Sequence, residues 1–305
     1  MDTDRASTVK MSVAFGLFLP QMRMDLGTIE GRVGAAEQSG YHSVWLMDHL
    51  APPAAAEHDS FDGWTLATHL LARTSAIHLG HLVLADPFRH PAVLAKMAAT
   101  LDVLSGGRFE LGIGWGSVPQ ELLTYGVTEA RPAERAARLG ETLEVLDLLF
   151  SGEHVTYHGR FHHLDDAVCR PRPLSGRIPI HIGGAGPKLT MPLVARHADW
   201  WNCPCYAADQ LEELRPLAGG ARVSLQRPIG LARTSAAREE TIAVATRRFG
   251  NWGGLVAGTP DEVVATLRAD VAAGVELFVI QFTDFGPEET LRLFAEEVIP
   301  GVRAA

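Results

Sequence analysis

The most constraining feature of this chain is a recurrence. Short, nearly continuous apolar runs alternate with longer segments of helical periodicity, eight times from end to end. The first run, 12–19 (SVAFGLFL), stops at Pro20. An unbroken apolar run of that length suits a strand buried on both faces, as in a parallel sheet. Further strand candidates are 43–47 (SVWLM), 77–84, 109–113 (FELGI), 178–182 (IPIHI), 200–203, 228–231 and 277–282. Helical periodicity covers 28–39, 92–104, 132–150 and 187–197, and recurs near 209–217, 239–249, 261–273 and 288–298. Strict alternation predicts a parallel sheet joined by crossover helices. Eight units in 305 residues favour a closed (β/α)8 TIM barrel over an open doubly wound sheet. No linker, composition break or fixed-period repeat divides the chain. The expectation is therefore one barrel domain over 1–305, with 1–11 as a flexible N-terminal tail.

Two segments interrupt the alternation. Residues 50–63 (LAPPAAAEHDSFDG) read as a long loop after the second strand, where a barrel keeps its lids. Residues 154–164 (HVTYHGRFHHL) alternate around His158-Gly159, which predicts a small hairpin.

Charge and cysteine usage exclude several classes of partner. The net charge is −9, from 36 acidic against 27 basic residues, and no basic run reaches five. A field of that sign repels phosphate backbones, so no nucleic-acid partner is expected. Three cysteines, Cys169, Cys203 and Cys205, make no disulfide framework and point to a reducing compartment. Cys203-Pro-Cys205 lacks a second ligand pair, so no metal site is expected there. His158, His162 and His163 have no carboxylate or cysteine at a fixed helical spacing, and a solvated hairpin is the better reading. The start MDTDRASTVK has no apolar core of a signal peptide, and no stretch reaches 18 apolar residues. A cytoplasmic protein without a membrane span is expected.

A barrel carries its chemistry at the C-terminal ends of its strands. Asp48-His49 is the one adjacent acid and imidazole at such an end, and a histidine there can give or take a proton near neutrality. The loop after the fourth strand, Gly112 to Ser117, approaches a dinucleotide fingerprint but has Ser117 at the third glycine, with no helix expected directly behind it. Its glycines would let backbone approach a flat ligand, and Trp115 either stacks on that ligand or fills the barrel rim. Gly183-Gly184-Ala185-Gly186-Pro187-Lys188 follows the fifth strand and is expected to open a helix, whose free N–H groups suit an anion. It is not a Walker loop, because no Ser or Thr follows Lys188. No Gly-x-Ser-x-Gly elbow anchors hydrolase chemistry. These residues together describe a barrel that takes a flat, phosphorylated, largely apolar ligand beside one histidine.

The blocks FGLFLPQ (15–21), GYHSVWLMDHL (40–50) and LGHLVLADPFRHPAVLAKMAATLDVLSGGRFELGIGWG (79–116) carry a resemblance. So do IPIHIGGAGPKLTMPLVARHADWWN (178–202) and GTPDEVVATLRADVAAGVELFVIQF (258–282). The chain resembles the bacterial luciferase-like oxidoreductases, especially the branch that uses the deazaflavin coenzyme F420. The resemblance implies a (β/α)8 barrel, often a homodimer, binding FMN or F420 at the strand C-terminal ends. It implies that Asp48 and His49 face the ring, with His49 beside the hydride site. It places Leu82 and Val83 at a bulge behind the ring, where many members hold a non-proline cis peptide, and Gly183 to Lys188 at the cofactor phosphate. Sugar-phosphate dehydrogenases of the family carry a catalytic glutamate where this chain has Ser117; Glu121, close by, is the candidate substitute. The expected activity is hydride transfer between the deazaflavin C5 and a small, mostly apolar substrate. Two other readings remain open at this point: an FMNH2-dependent monooxygenase and a non-catalytic flavin-binding relative.

Overall fold

The computed structural model describes residues 12–53 and 55–304. The expected tail, 1–11, lies outside the described residues. Eight parallel strands form the barrel: β1 (Ala14–Phe18), β2 (Ser43–Leu46), β3 (His78–His81), β4 (Phe109–Gly114), β5 (Ile180–Gly183), β6 (Trp200–Cys203), β7 (Arg222–Leu231) and β8 (Leu277–Phe282). Each pairs with its successor, and β8 returns to β1 with Ala14 opposite Leu277, so the sheet closes.

Alternation along each strand separates two cores. Phe15, Leu17, Val44, Leu46, Leu111 and Ile182 face the helix ring and join one large buried cluster with it. Phe18, Trp45, Met47, Leu277 and Val279 form a second, smaller cluster inside the barrel. Polar side chains share the interior with it. Glu110 on β4 hydrogen-bonds His78 on β3 at 2.9 Å and His181 on β5 at 3.0 Å. Burial alone would raise the Glu110 pKa, but the hydrogen bonds from His181 and His78 outweigh it and hold the carboxyl at about 2.

Several boundaries differ from the sequence expectation. β7 begins at Arg222 rather than 228, because its inward residues are the polar Ser224 and Gln226 and broke the apolar run. Its Arg227 is buried against Asp270 at 2.6 Å, an ion pair that pattern reading cannot anticipate. The expected strand 77–84 is split: Leu84–Ala85 pairs with the end of β4 after a cis Leu82–Val83 peptide. A helix, Gly63–Arg73, was absent from the reading; Asp62 caps it by accepting from Thr65 N at 2.7 Å, and Trp64, Leu66, Leu70 and Leu71 are its buried face. A short helix, Pro119–Thr124, starts two residues after Ser117, where none was expected. The helix expected from 187 starts at Met191. The hairpin is present as Val155–His158 against His163–Ala167, but it is not wholly solvated. His162 is buried and shares a 3.1 Å hydrogen bond with Thr142. No described helix is long and apolar enough to cross a membrane.

Candidate active site

A cavity of about 580 Å³ opens at the C-terminal ends of the strands. Asp48, His49, Leu82, Val83, Trp115, Ser117, Glu121, Gly183, Gly184, Ala185 and Gly186, all singled out in the sequence, line it. Lys188 does not; it is exposed on the turn that follows.

Asp48 leaves β2 buried, and both of its oxygens are taken. Arg89 grips it with two bonds of 2.7 and 2.9 Å, and Ala85 N donates to it at 2.8 Å. The carboxylate at the cavity wall therefore holds the segment after β3 in place, with both oxygens already engaged. Arg89, just past that segment in DPFRHP, is the partner the sequence reading missed.

His49 is fixed differently. Its Nδ1 lies 2.8 Å from Glu121 Oε2, and the other oxygen of Glu121 accepts from Leu50 N at 2.6 Å. A carboxylate accepts, so Nδ1 carries the hydrogen and Nε2 is left as the exchangeable atom. Proline at the first turn of Pro119–Thr124 starts the helix that carries Glu121. The pairing explains how a residue 72 positions away meets His49.

The loop from Leu50 is tied at both ends. Glu121 holds its start. Its far end is held by Phe61 N donating to Gln21 O at 3.2 Å and by Arg23 N donating to Asp59 O at 3.2 Å.

The glycine wall has an internal cause. A Cβ on Gly112 would lie 1.8 Å from His81 O, and one on Gly114 would lie 2.8 Å from Val83 Cγ2. These glycines clear room for the chain's own bulge after β3, and at Gly114 they leave the cavity wall without a side chain. Trp115 stays at the rim: its Nε1–H donates to Thr190 Oγ1 at 3.2 Å, and the Arg135 guanidinium lies 5.2 Å from its ring centre. In the Gly183–Gly186 turn, Gly184 N donates to Asn202 O at 3.2 Å. The N–H groups of Ala185 and Gly186 have no partner among the described residues, which leaves two donors for an anion.

A family model described as luciferase-like monooxygenase matches residues 11–250. The chain belongs to the luciferase-like monooxygenase family. Among its curated relatives, the F420-dependent glucose-6-phosphate dehydrogenase of Microbacterium testaceum (strain StLB037) is 30% identical, over 94% of each chain. Two solved structures share the fold at lower identity. An F420-dependent secondary alcohol dehydrogenase in complex with an F420–acetone adduct superposes with a TM-score of 0.80 at 21% identity, covering 96% of this chain and 100% of that one. EDTA monooxygenase from Chelativorans sp. BNC1 does so with a TM-score of 0.82 at 17% identity, covering 96% and 94%.

Within this luciferase-like barrel, sequence reasoning overlooked Thr190, Asn202, Gln226, Tyr206 and Gln210, which also line the cavity. They sit on later strands and turns, where no acid, base or glycine run drew notice.

Proposed function

We propose that the chain is a coenzyme F420-dependent oxidoreductase, transferring hydride between the deazaflavin and a small, neutral, mostly apolar organic substrate. The observation that carries this reading is the His49–Glu121 pair beside a glycine wall, in a cavity whose described lining holds no lysine or arginine. The residues present fit the cofactor. Gly114 and Gly183 offer a flat surface backed by Val83, and the free N–H groups of Ala185 and Gly186 suit its phosphate. When bound, the deazaflavin supplies the hydride donor or acceptor at C5.

The chain's own residues handle the proton and the geometry. Glu121 holds His49 Nδ1–H, so Nε2 gives or takes the proton on the substrate oxygen. Asp48 and Arg89 lock the bulge that backs the ring. Glu121 also fixes the start of the loop from Leu50 by accepting from Leu50 N, so His49 and the loop are positioned by one carboxylate.

The lining argues for a neutral substrate and against a sugar phosphate. Both lining carboxylates, Asp48 and Glu121, already have partners, and a phosphomonoester entering the cavity would find no cation to replace its water. The missing glutamate at Ser117 supports the same conclusion. We read the protein as cytoplasmic, consistent with three buried, unpaired cysteines, and as a homodimer like its family.

The test is anaerobic turnover of F420 by the purified chain with neutral alcohols and ketones, with glucose 6-phosphate, and in parallel oxygen uptake with reduced FMN. Turnover of neutral substrates at rates at least about a hundredfold above the sugar phosphate is expected, a gap of about 2.7 kcal/mol. Comparable turnover of glucose 6-phosphate would overturn the substrate assignment, and oxygen uptake with FMNH2 but no F420 turnover would overturn the cofactor assignment.

A further inference from the structure

The opposite end of the barrel holds a second group of chemistry-bearing side chains. His42 directly precedes β2, His78 opens β3, and Glu110 lies near the start of β4. The His42 and His78 rings stack with centres 4.7 Å apart. His78 Nδ1 lies 2.9 Å from Glu110 Oε1. One ligand atom from each of the three residues falls within 4.8 Å of the other two. Glu110 is buried, while His42 is exposed and its ring has no hydrogen-bond partner among the described residues.

We propose that His42, His78 and Glu110 form a zinc-type divalent metal site at the N-terminal end of the barrel. Two imidazoles and a carboxylate are a donor set that zinc accepts, with a fourth place left for water. Tetrahedral ligands about 2.1 Å from zinc lie about 3.4 Å from one another. The 2.9 Å spacing of His78 and Glu110 is already close to this. His42 closes the remainder by a side-chain rotation, which its exposure permits. The carboxylate is aimed by His181, whose Nε2 lies 3.0 Å from the other Glu110 oxygen. The nearby cation, Arg222, is compensated by Glu276 at 2.9 Å and stacks on Trp200. A metal there would brace β2, β3 and β4 at the end of the barrel that serves stability rather than chemistry.

The experiment uses the untagged full chain, stripped with EDTA and titrated calorimetrically with zinc chloride. One equivalent is expected to bind and to raise the melting temperature. His42→Ala should weaken binding at least about tenfold and cancel the thermal shift. His158→Ala, on the hairpin, should leave both unchanged. Cobalt(II) in place of zinc should give the intense visible bands of a tetrahedral site, absent in His42→Ala. The proposal is overturned if the wild-type chain shows no saturable binding, if His42→Ala binds as tightly as wild type, or if His158→Ala abolishes binding.

Discussion

His49 and Asp48 are neighbours in the chain and yet do different work. Asp48 is saturated by Arg89 and Ala85 N, whereas His49 is held on one nitrogen only, which on the proposed function leaves the other for proton exchange. His49→Ala should lower kcat by about 10²–10⁴, the usual contribution of a general acid or base. A loss under about threefold in steady-state F420 turnover would remove it from the mechanism. Arg89→Ala strands a buried carboxylate and should cost about 3–5 kcal/mol in denaturant unfolding, with Asp48→Asn in the same chain restoring part of it. An unchanged midpoint would mean that the pair is not what holds the bulge. At this scale the sequence named the residues at the strand ends well, because acids, imidazoles and glycines stand out there. It missed their partners: Arg89 pairs with Asp48 across 41 positions, and that distance has no local signature.

Helices and strands were legible wherever packing is one-sided and apolar. The long helix expected at 132–150 is found as Pro132–Phe150 without change. Boundaries slipped where polar interior residues broke the pattern, as in β7, or where a capped amphipathic helix followed a Pro- and Asp-rich loop, as at Gly63–Arg73. Two substitutions test the reason given for the glycines. Gly112→Ala forces a Cβ against the His81 carbonyl and should destabilise by about 1–3 kcal/mol or more. Gly34→Ala, in the helix Leu26–Gln38 with open space around it, should instead stabilise by up to about 1 kcal/mol. Thermal melts that rank the two the other way would refute the packing argument. The hairpin adds a pH effect. Burial, with the nearby charges of Arg138 and His90, lowers the His162 pKa from 6.5 to about 4. The unfolded chain takes this proton first, so stability is complete above about pH 6.5 and falls towards pH 4, by at most about 1.4 kcal/mol per pH unit. His162→Gln should flatten that part of the melting-temperature profile; an identical slope in the variant would exclude His162 as its source.

The molecule as a whole divides its labour along the barrel axis. The C-terminal mouth gathers Asp48, His49, Glu121 and the glycine turns from three separate strand ends, while the other end is closed by aromatic and ionic contacts around Glu110 and Trp200. The barrel itself was readable from eightfold alternation alone, because a parallel sheet has few other ways to bury so many apolar runs. The His42–His78–Glu110 group was not, since it forms only when β2, β3 and β4 pair in register and bring residues far apart in the chain together. The central claim is that this mouth is built for a deazaflavin, and it is tested most directly by equilibrium titration of the purified chain with coenzyme F420 and with FMN, side by side, by fluorescence. The account predicts tight F420 binding with FMN at least about a hundredfold weaker, a gap of about 2.7 kcal/mol; equal affinity, or a preference for FMN, would contradict it.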